Sequence, residues 1–576
     1  MPTVVLGSLE STSEKWRLAL DAPVKTTAAN RIDGVLPVLE FAESEALSGS
    51  YVALMLSYEA APAFDPVLTV HRPSEFPLAW AGVFPTTTAL KTEESQGFSS
   101  SSWAPGVSRD EYEASVTRIR DLIAAGDTYQ VNYSFPLTST FNGAPYEWYS
   151  HLCLAQGAQY SAYLDLGRYK VLCLSPELFF ERRGNHVVTK PMKGTVRRGR
   201  WLEEDRELAQ WLQLSAKDRA ENVMIVDLLR NDLGKVSAPG SVSVSSLFDL
   251  ERFETVWQMT STVESTLKER TSLMELITAL FPCGSVTGAP KIRTMEIIHE
   301  LERFPRGAYT GAIGLLIPGG DCIFNVAIRT VVIDTKTNLA TFGVGGGVTI
   351  DSTVEREYEE CLVKSSFLNA SPAVFQLFES ILLEDGQYFL LERHFERLRG
   401  SAAFFEFDFR EEEIRSALEQ IAAENASASF KIRLRLWKDG RIETEANPIK
   451  PSRGWRVALA TRAVDSSDRF LFHKTTRRDF YTAQLEAWPD CDDIIFWNEK
   501  GEITESTIAN VVLPIDGQLF TPPVGAGLLA GTFRNQLLCE GMIQERVITV
   551  EELQNAKEFF LINSVRKWIR ARDLHG

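Results

Sequence analysis

The feature that most constrains this chain is a change of sequence texture near Ser371-Pro372. Before it, strand-like and helix-like stretches alternate, for example the apolar run at 51–60 and the helical spacing at 108–125. After it, alternating strands are separated by Asp-Gly turns at 385–386, 439–440 and 516–517, the strongest short-range signal of a hairpin. Because 576 residues exceed one simple core, we expect two domains, at 1–368 and 369–576.

Composition narrows the function classes. The chain has 60 Lys and Arg against 77 Asp and Glu, a net charge of −17, which argues against sequence-independent binding of nucleic acid. No apolar run approaches the length of a membrane span, and the first residues lack a secretory pattern. The seven cysteines are scattered without C-x-x-C spacing, which disfavours structural zinc and a disulfide framework. We therefore expect a cytoplasmic enzyme without a membrane or nucleic-acid partner.

Two acidic pairs stand at helical spacing. Asp218 and Glu221 are three residues apart, and so are Glu357 and Glu360, so each pair lies on one helix face. Carboxylates from two helices can hold Mg²⁺ together with water and substrate oxygens. Two solvated helix faces would have the same spacing.

A lysine and a glutamate form a second candidate. Lys193 lies between Pro and Gly in TKPMKGT, so it stands on or beside a bend, and a lysine with lowered proton affinity can act as a nucleophile. Glu177 follows the strand-like run YKVLCLSPE. Taken alone, each residue is equally compatible with a solvated surface position.

Small residues mark two stretches, FPCGSVTGAPK at 281–291 and FGVGGGVTIDS at 342–352. The backbone of Gly345, Gly346 and Gly347 could approach a ligand closely and donate N–H groups to a carboxylate, although a bulged strand would also explain the glycines. Arg329, in the strand-like FNVAIRT, could bind a carboxylate with both arms of its guanidinium.

In the second region, Lys474 lies in FLFHKTTRRDFY among apolar and basic residues. Arg477 and Arg478 would lower its pKa, as a lysine that forms a Schiff base requires. A plain basic patch is the alternative on these residues alone.

Seven segments of the first region resemble, in order, the chorismate-utilising enzymes: SPE, TKPMKGT, KDRAENVMIVDLLRND, FPCGSVTGAPK, PRGAYTGAIG, FNVAIRT and EYEECLVK. The resemblance covers about residues 50–366. It implies an α/β fold, a chorismate-binding antiparallel β-sandwich flanked by helices. With a lysine at position 193, the sequence resembles the aminodeoxychorismate synthase branch of this family, whereas the anthranilate synthases have alanine there.

The resemblance also implies residue roles. Lys193 would attack the chorismate ring with loss of the C4 hydroxyl, Glu177 would protonate that leaving group, and ammonia would then displace the lysine. Glu221 and Glu360 match the Mg²⁺ ligands, with Asp218 and Glu357 as helpers. The expected substrate-binding groups are Arg329, Tyr309, Lys364, Gly345, Gly346, Gly347 and Thr287.

One position departs from the family pattern: Gln258 stands where the family usually has a histidine. Glutamine can hydrogen-bond but cannot transfer a proton at neutral pH, so Gln258 is left out of the catalytic set. No cysteine lies in a G-x-C-x-G turn. Ammonia is therefore expected from a separate glutamine amidotransferase subunit.

The second region resembles the class IV enzymes that use pyridoxal 5'-phosphate (PLP), through FESILLEDGQYFLLERHFERLRGSAAFF, HKTTRRDFY, GEITESTIANVVL, GLLAGTFR and FLINSVR. The resemblance implies the α+β fold type IV, a homodimer formed through this domain, and Lys474 as both the lysine that binds PLP and a catalytic proton carrier. Glu505 would pair with the pyridine nitrogen. The other expected cofactor ligands are Arg397, Gly531 and Thr532, with Thr507 and Asn510 ranked below them.

Together the two resemblances predict a bifunctional enzyme of folate biosynthesis. The first domain would convert chorismate to 4-amino-4-deoxychorismate, and the second would release pyruvate from it to give 4-aminobenzoate. Two alternatives stay open: an aminotransferase for branched-chain or D-amino acids in the second region, and a chorismate-binding scaffold without activity in the first.

Overall fold

The computed structural model describes residues 3–7, 18–88, 97–369, 374–425, 428–449 and 454–575. The chain divides into two compact units, Met1–Arg197 with Ala209–Pro372, and Arg198–Leu208 with Ala373–Gly576. The texture change at Ser371-Pro372 falls within 370–373, outside the described residues. The short stretch Arg198–Leu208 belongs to the second unit, although we expected it in the first domain.

The first unit contains twenty strands among the described residues. They are β1 Val4–Leu6, β2 Leu18–Leu20, β3 Lys25–Ala29, β4 Tyr51–Leu56, β5 Ala79–Phe84, β6 Phe98–Ser100, β7 Ala104–Pro105, β8 Gln130–Gly143, β9 Tyr160–Asp165, β10 Tyr169–Ser175, β11 Leu178–Arg183, β12 His186–Lys190, β13 Met192–Arg197, β14 Ser243–Arg252, β15 Val256–Thr266, β16 Gly288–Ala289, β17 Ala312–Leu316, β18 Cys322–Val326, β19 Thr330–Asp334 and β20 Leu339–Val348.

Its helices follow the same order along the chain. They are α1 Val35–Leu47, α2 Arg109–Ala124, α3 Pro145–Gln156, α4 Leu202–Leu214 (which begins in the second unit), α5 Ala216–Val236, α6 Leu273–Leu280, α7 Lys291–Leu301 and α8 Val354–Ser365.

Local chemistry explains where these elements begin. The expected helix after residue 108 is α2, and the Ser108 hydroxyl and the Glu111 carboxylate cap its first turn reciprocally. The apolar run at 51–60 forms β4, whose last five residues are buried, and then turns into a short 3₁₀ segment at Tyr58–Ala63. Arg329 is an exception: it lies between β18 and β19 with φ +52°, so the expected strand is interrupted there.

Two antiparallel sheets form the body of the first unit within the described ranges. One has the strand order β16-β8-β20-β19-β10-β9-β1-β2, with β6 and β7 paired to β8. The other has the order β13-β15-β12-β11-β18-β17-β4-β5-β3, with β14 paired to β15. One apolar cluster joins residues of both sheets, among them Val4, Leu164, Met55 and Ile313.

The second unit contains strands β21 Leu377–Glu384, β22 Gln387–Tyr388, β23 Phe430–Leu436, β24 Ile442–Pro448, β25 Trp455–Leu459, β26 Asp493–Trp497, β27 Ile503–Ser506, β28 Asn510–Ile515, β29 Gln518–Thr521, β30 Gln544–Glu545, β31 Phe560–Asn563 and β32 Lys567–His575. Its helices are α9 Leu391–Phe405, α10 Glu411–Glu424, α11 Asp479–Glu486, α12 Thr532–Cys539 and α13 Val550–Gln554. Within the described ranges, a four-stranded antiparallel sheet has the order β22-β21-β23-β24, and a mixed sheet has the order β27-β26-β25-β32-β31-β28-β29-β30.

The three Asp-Gly hairpins are confirmed. They join β21 to β22, β23 to β24 and β28 to β29. At the first and third turns both residues have positive φ, with Asp385 at 49° and Gly386 at 73°, and Asp516 at 50° and Gly517 at 80°. This geometry suits the twist of paired strands and is readily adopted by Asp-Gly. Among the described residues, no helix combines the length and the apolar character needed to cross a membrane.

Candidate active sites

A cavity of about 450 Å³ lies in the first unit. Most of the predicted catalytic, substrate-binding and metal-binding residues of this unit line it. They are Glu177, Lys193, Asp218, Glu221, Tyr309, Arg329, Gly345, Gly347, Glu357, Glu360 and Lys364.

Lys193 and Glu177 reach this cavity from β13 and from the turn between β10 and β11. Burial lowers the pKa of Lys193, and the nearby Lys364 lowers it further. Burial also raises the pKa of Glu177 to about 7. The lysine is thus more readily deprotonated than an exposed one, and the carboxyl can hold a proton near neutral pH, which suits a nucleophile and a general acid.

The two acidic pairs lie on helices, as predicted: Asp218 and Glu221 on α5, and Glu357 and Glu360 on α8. Burial raises the pKa of Glu221 and of Glu357, and neighbouring carboxylates add to both shifts. Glu360 instead pairs with Lys364 at 2.6 Å, which holds the pKa of Glu360 below its ordinary value.

The donor set suits Mg²⁺ in chemistry, because like-charged carboxylates crowd one cavity and a hard cation would relieve their repulsion. Within the described part of the chain, however, no three His, Cys, Asp or Glu side chains are arranged to hold a metal. Asp218 instead accepts a hydrogen bond from Ser215, and Glu357 accepts one from Ser352 at 2.6 Å. Coordination would require these side chains to reorient.

Arg329 lies in the cavity wall, and no carboxylate of the described residues pairs with it. Burial lowers its pKa to about 10, and its buried Nη1 atom has no hydrogen-bond partner within the described part of the chain. Tyr309 is also buried and lines the same cavity, and burial raises its pKa to about 12. A buried cation and a phenol hydrogen-bond donor are suited to a substrate carboxylate.

The glycine stretch lies in β20. A Cβ atom on Gly347 would lie 2.4 Å from Gln130 Nε2 and 2.8 Å from Lys193 Nζ, so a side chain at this position would displace the predicted nucleophile. A Cβ on Gly346 would lie 3.1 Å from Glu357 Oε2. The Gly345 carbonyl accepts a hydrogen bond from Lys364 Nζ at 2.9 Å.

Of the predicted residues of this unit, Gly346 and Thr287 are not part of the described cavity lining. Thr287 is fully buried outside the cavity lining, and its hydroxyl donates to the Cys283 carbonyl at 3.2 Å. Its role in substrate binding remains a prediction. Gln258 does line the cavity, and its Oε1 atom accepts a hydrogen bond from Thr195 at 2.9 Å.

Sequence reasoning missed Ser285, which lines this cavity, and Gln130, which lies just outside its lining. The Ser285 hydroxyl donates to Glu177 Oε1 at 2.7 Å. Gln130 is fully buried, and its Nε2 atom approaches the same Gly347 position as Lys193 Nζ. Among the described residues, neither its amide oxygen nor its amide nitrogen has a hydrogen-bond partner. Ser285 lies in the small-residue segment at 281–291, whereas nothing in the sequence around Gln130 pointed to the site.

A second cavity, of about 700 Å³, lies in the second unit. All the residues predicted to bind the cofactor line it: Arg397, Lys474, Glu505, Thr507, Asn510, Gly531 and Thr532.

Lys474 follows a 3₁₀ segment at Arg469–Phe472. Burial lowers its pKa to about 7, and Arg397 and Arg478 contribute. The expected role of Arg477 is not supported, because its guanidinium packs over the Phe470 ring at 4.4 Å and is not among the groups that lower this pKa. A lysine with this pKa is partly neutral at physiological pH and can condense with an aldehyde.

Glu505 lies on β27 and is buried. Its Oε1 atom accepts a hydrogen bond from the Tyr481 hydroxyl at 3.0 Å, and its Oε2 atom accepts one from the Leu529 N–H at 3.1 Å. Burial raises its pKa to about 7. These two donors fix the orientation of the carboxyl group, and Tyr481 is a contact that the sequence did not suggest.

A buried network holds Arg397. Its Nε and Nη2 atoms donate to Glu379 at 2.9 and 2.6 Å, and His394 Nδ1 lies 2.7 Å from the same carboxylate. His394 Nε2 in turn lies 3.3 Å from the Thr532 hydroxyl. A Cβ atom on Gly531 would lie 2.1 Å from Asn510 Oδ1, so only glycine fits there.

These residues fit PLP. An arginine, a threonine hydroxyl and the start of α12 after Gly531 suit a phosphate group, and Lys474 and Glu505 line the same cavity as the sequence predicted. Thr507 lines it too, but its hydroxyl and its N–H both donate to the buried Asp493.

Cations dominate the rest of this cavity. Lys431 and Arg433 project from one face of β23, and Arg478 and Arg566 complete the set, which we call the cationic wall. Arg433 lies cross-strand from Glu445, yet its buried Nε atom finds no hydrogen-bond partner in the residues that the structure describes. Asp492 and Glu505 are the acidic residues in the described lining.

Each of the two regions matches a known protein family. Residues 88–370 match the family of chorismate binding enzymes, and residues 376–574 match the amino-transferase class IV family.

Several relatives align with the first region, among them two kinds of synthase. Aminodeoxychorismate synthase component 1 of Bacillus subtilis (strain 168) is 39% identical over 292 residues, 51% of this chain and 61% of that protein. Anthranilate synthase component 1 of Thermus thermophilus is 40% identical over 261 residues, 45% of this chain and 56% of that protein. The chain thus spans about three fifths of the length of these relatives.

Among solved structures, anthranilate synthase component I of Streptococcus pneumoniae TIGR4 has a TM-score of 0.55 and 25% identity, covering 61% of this chain and 92% of that one. Overall identity does not separate the two kinds of synthase, so any distinction between them rests on individual residues such as Lys193.

Proposed function

Because residues 88–370 match the chorismate binding enzymes and residues 376–574 match the class IV amino-transferases, we propose that this chain makes 4-aminobenzoate from chorismate in two steps. The first unit would form 4-amino-4-deoxychorismate, as its relatives named aminodeoxychorismate synthase component 1 suggest. The second unit would release pyruvate from that product. The α/β sandwich expected for the first unit is supported by the apolar cluster that joins residues of its two sheets.

One observation carries the first step: Lys193 and Glu177 line one cavity with pKa values shifted toward each other. The neutral Lys193 amine would attack the ring, and Glu177 would deliver its proton to the departing C4 hydroxyl, which leaves as water. Ammonia then displaces the Lys193 nitrogen. Arg329 and Tyr309 would hold a substrate carboxylate throughout.

Mg²⁺ is proposed as the counter-ion of the dianionic substrate, held by Glu221 and Glu360 with Asp218 and Glu357 as helpers. Like-charge crowding in the cavity supports this choice. We propose that ammonia comes from a separate glutamine amidotransferase subunit, as the designation component 1 of the relatives suggests.

The cationic wall is the reason why we propose a lyase rather than an aminotransferase for the second unit. Aminodeoxychorismate has two carboxylates, whereas a branched-chain amino acid has one carboxylate and an apolar side chain. Four cations around the cavity, with a buried Nε atom of Arg433 still unpartnered among the described residues, match the dianion better.

PLP, when bound, supplies an electron sink for the negative charge that develops when the substrate loses a proton. Lys474 would remove that proton and hold it at Nζ. Glu505 would keep the pyridine nitrogen protonated, and Arg397 and Thr532 would hold the phosphate. A homodimer formed through this unit remains part of the proposal.

The direct test uses purified protein with chorismate, MgCl₂, an ammonium salt and PLP, followed by separation of the products. We expect 4-aminobenzoate and pyruvate. Anthranilate as the product would refute the assignment of the first unit, and Lys193→Ala should abolish aminodeoxychorismate formation. Synthetic aminodeoxychorismate supplied against amino-acid donors separates a lyase from an aminotransferase.

A further inference from the structure

Residues Arg198–Leu208 belong to the second unit, although the flanking sequence on both sides belongs to the first. They follow directly on β13, the strand that carries Lys193. Within the second unit they contact the segment that leads to Lys474: the Trp201 and Phe472 rings lie 5.1 Å apart, and the Arg200 carbonyl lies 3.0 Å from His473 Nε2.

A buried ion pair fixes the conformation of this segment. Arg198 donates to the Asp205 carboxylate from Nε at 2.7 Å and from Nη2 at 2.9 Å, and both residues are almost fully buried. The Gly199 N–H donates to the same carboxylate at 2.7 Å. A Cβ atom on Gly199 would lie 2.1 Å from the Asp205 nitrogen, so the turn has no space for a side chain. The Arg200 carbonyl is therefore held in one place.

The ring of His473 is oriented by its hydrogen bond to the Arg200 carbonyl. A carbonyl oxygen can only accept, so Nε2 must carry the proton that it donates to Arg200, and Nδ1 must accept from the Ser401 hydroxyl at 2.9 Å. The ring packs against Phe404 and Phe405, with centroids 4.5 and 4.7 Å away. Burial lowers the pKa of His473 to about 3, so the ring is neutral at physiological pH.

The peptide of Lys474 is held on its other side as well. Its carbonyl accepts a hydrogen bond from the Phe378 N–H at 3.0 Å, and its Nζ atom lies 4.8 Å from the centroid of the Phe378 ring. The backbone around Lys474 is thus fixed by β21 on one side and by the His473 ring on the other.

We propose that Arg198–Leu208 positions Lys474 for its cofactor, acting through the Arg200 carbonyl and the neutral ring of His473. This inference rests on the proposed use of Lys474 as the residue that binds PLP. These residues are positioning residues, because their own side chains do not line the PLP cavity.

The consequence is measurable in the protonation of Lys474. Its pKa is lowered to about 7 first by burial. The charged and titratable groups that face it are Arg397, Arg478, Glu379, Glu505 and His394. Those that face His473 are Arg469, Arg198 and Asp205. If the segment loosens, water reaches Lys474 and its pKa moves up toward 10.5.

The experiment uses the full chain stripped of PLP. Only the neutral Lys474 amine condenses with the PLP aldehyde, releasing water, so the rate of covalent uptake, followed by absorbance, rises with pH through the lysine pKa. We expect half-maximal uptake near pH 7 for the unmodified chain. Asp205→Ala and His473→Leu should move it upward by about one pH unit.

His473→Gln retains an N–H donor near Nε2 and should restore most of the original midpoint. Glu207→Ala, at an exposed position on the same helix α4, serves as the matched control and should leave the midpoint unchanged. If Asp205→Ala does not fold, the midpoints of His473→Leu and His473→Gln still show whether the hydrogen bond to Arg200 positions Lys474.

The inference is overturned if Asp205→Ala and His473→Leu bind PLP with the original midpoint, even if both melt at lower temperature, because the segment would then only add stability. A different result would refute the proposed function and the inference with it. This result is an unmodified chain that takes up no PLP, or a Lys474→Ala variant that takes up as much PLP as the unmodified chain.

Discussion

Ser285 donates a hydrogen bond to the Glu177 carboxyl across 2.7 Å, in a position where both side chains are almost entirely buried. The donor favours the charged form of the carboxyl, so it lowers a pKa that burial raises to about 7. We therefore expect Ser285→Ala to raise the pKa of Glu177 by about one unit. The pH–rate profile of aminodeoxychorismate formation checks this.

Glu177 must be protonated to act as a general acid, so the profile should fall as pH rises through about 7, and Ser285→Ala should extend activity to higher pH. Ser265→Ala, at a buried serine elsewhere in the first unit, is the matched control. An unshifted profile in Ser285→Ala would mean that another group sets this limb.

The Glu177 carboxyl should also lower the free energy of unfolding at high pH. Its pKa is about 7 in the folded chain and 4.5 ordinarily, so between these values the folded state binds a proton that the unfolded state does not. Stability thus falls as pH rises from 4.5 to 7 and stays lowered above 7. Glu177→Gln should raise the free energy of unfolding by about 1–3 kcal/mol at pH 8 and hardly at all at pH 4.

Denaturant titrations at the two pH values measure this difference. Equal effects of Glu177→Gln at pH 4 and pH 8 would argue that the carboxyl is not protonated in the folded chain near neutral pH. The loss of activity in the same variant, expected from the proposed role, would then need another explanation.

Gln130 offers a test of a residue that sequence reasoning missed. Its buried amide approaches the same Gly347 position as Lys193 Nζ, and neither polar atom has a partner among the described residues, which costs stability unless substrate or ammonia uses it. Gln130→Met should lower the rate of aminodeoxychorismate formation at least about tenfold, while the melting temperature stays the same or rises.

The control is Gln156→Met, because Gln156 is also buried and its Nε2 atom also has no partner among the described residues. Neither glutamine is part of the cavity lining, but Gln130 Nε2 and Lys193 Nζ approach the same Gly347 position, whereas Gln156 lies at the end of α3. Gln156→Met should leave the rate unchanged. A Gln130→Met variant that melts much earlier and keeps its rate would assign the residue to structure alone.

Arg433 tests the cationic wall. Replacing it with leucine removes one cation from the cavity, so Arg433→Leu should raise the KM for synthetic aminodeoxychorismate about tenfold, with a smaller effect on kcat. Arg435→Leu is the matched control, since Arg435 lies two residues further along the same face of β23, pairs with Glu443 at 3.1 Å and is not part of the cavity lining. Equal KM changes in the two variants would argue against a carboxylate subsite at Arg433.

Much of the local structure could be predicted from the sequence. The helices of Asp218 and Glu357, the cap at Ser108 and the three Asp-Gly hairpins follow from side-chain periodicity and turn chemistry, which depend on neighbours in the chain. The interruption at Arg329 was missed because a positive φ at a non-glycine residue leaves no mark in an apolar pattern.

The sequence by itself determined the candidate residues for the proposed chemistry: Lys193 with Glu177, Lys474 with Glu505, and acidic pairs on two helices. Only the tertiary structure decided what surrounds them. It joins Ser285 to Glu177 across 108 residues, faces Arg433 into a cavity, and assigns Arg198–Leu208 to the unit that contains Lys474. The physical reason is that propensity and periodicity act over a few residues, whereas burial, which shifts the pKa of each lysine, arises when distant strands and loops pack together.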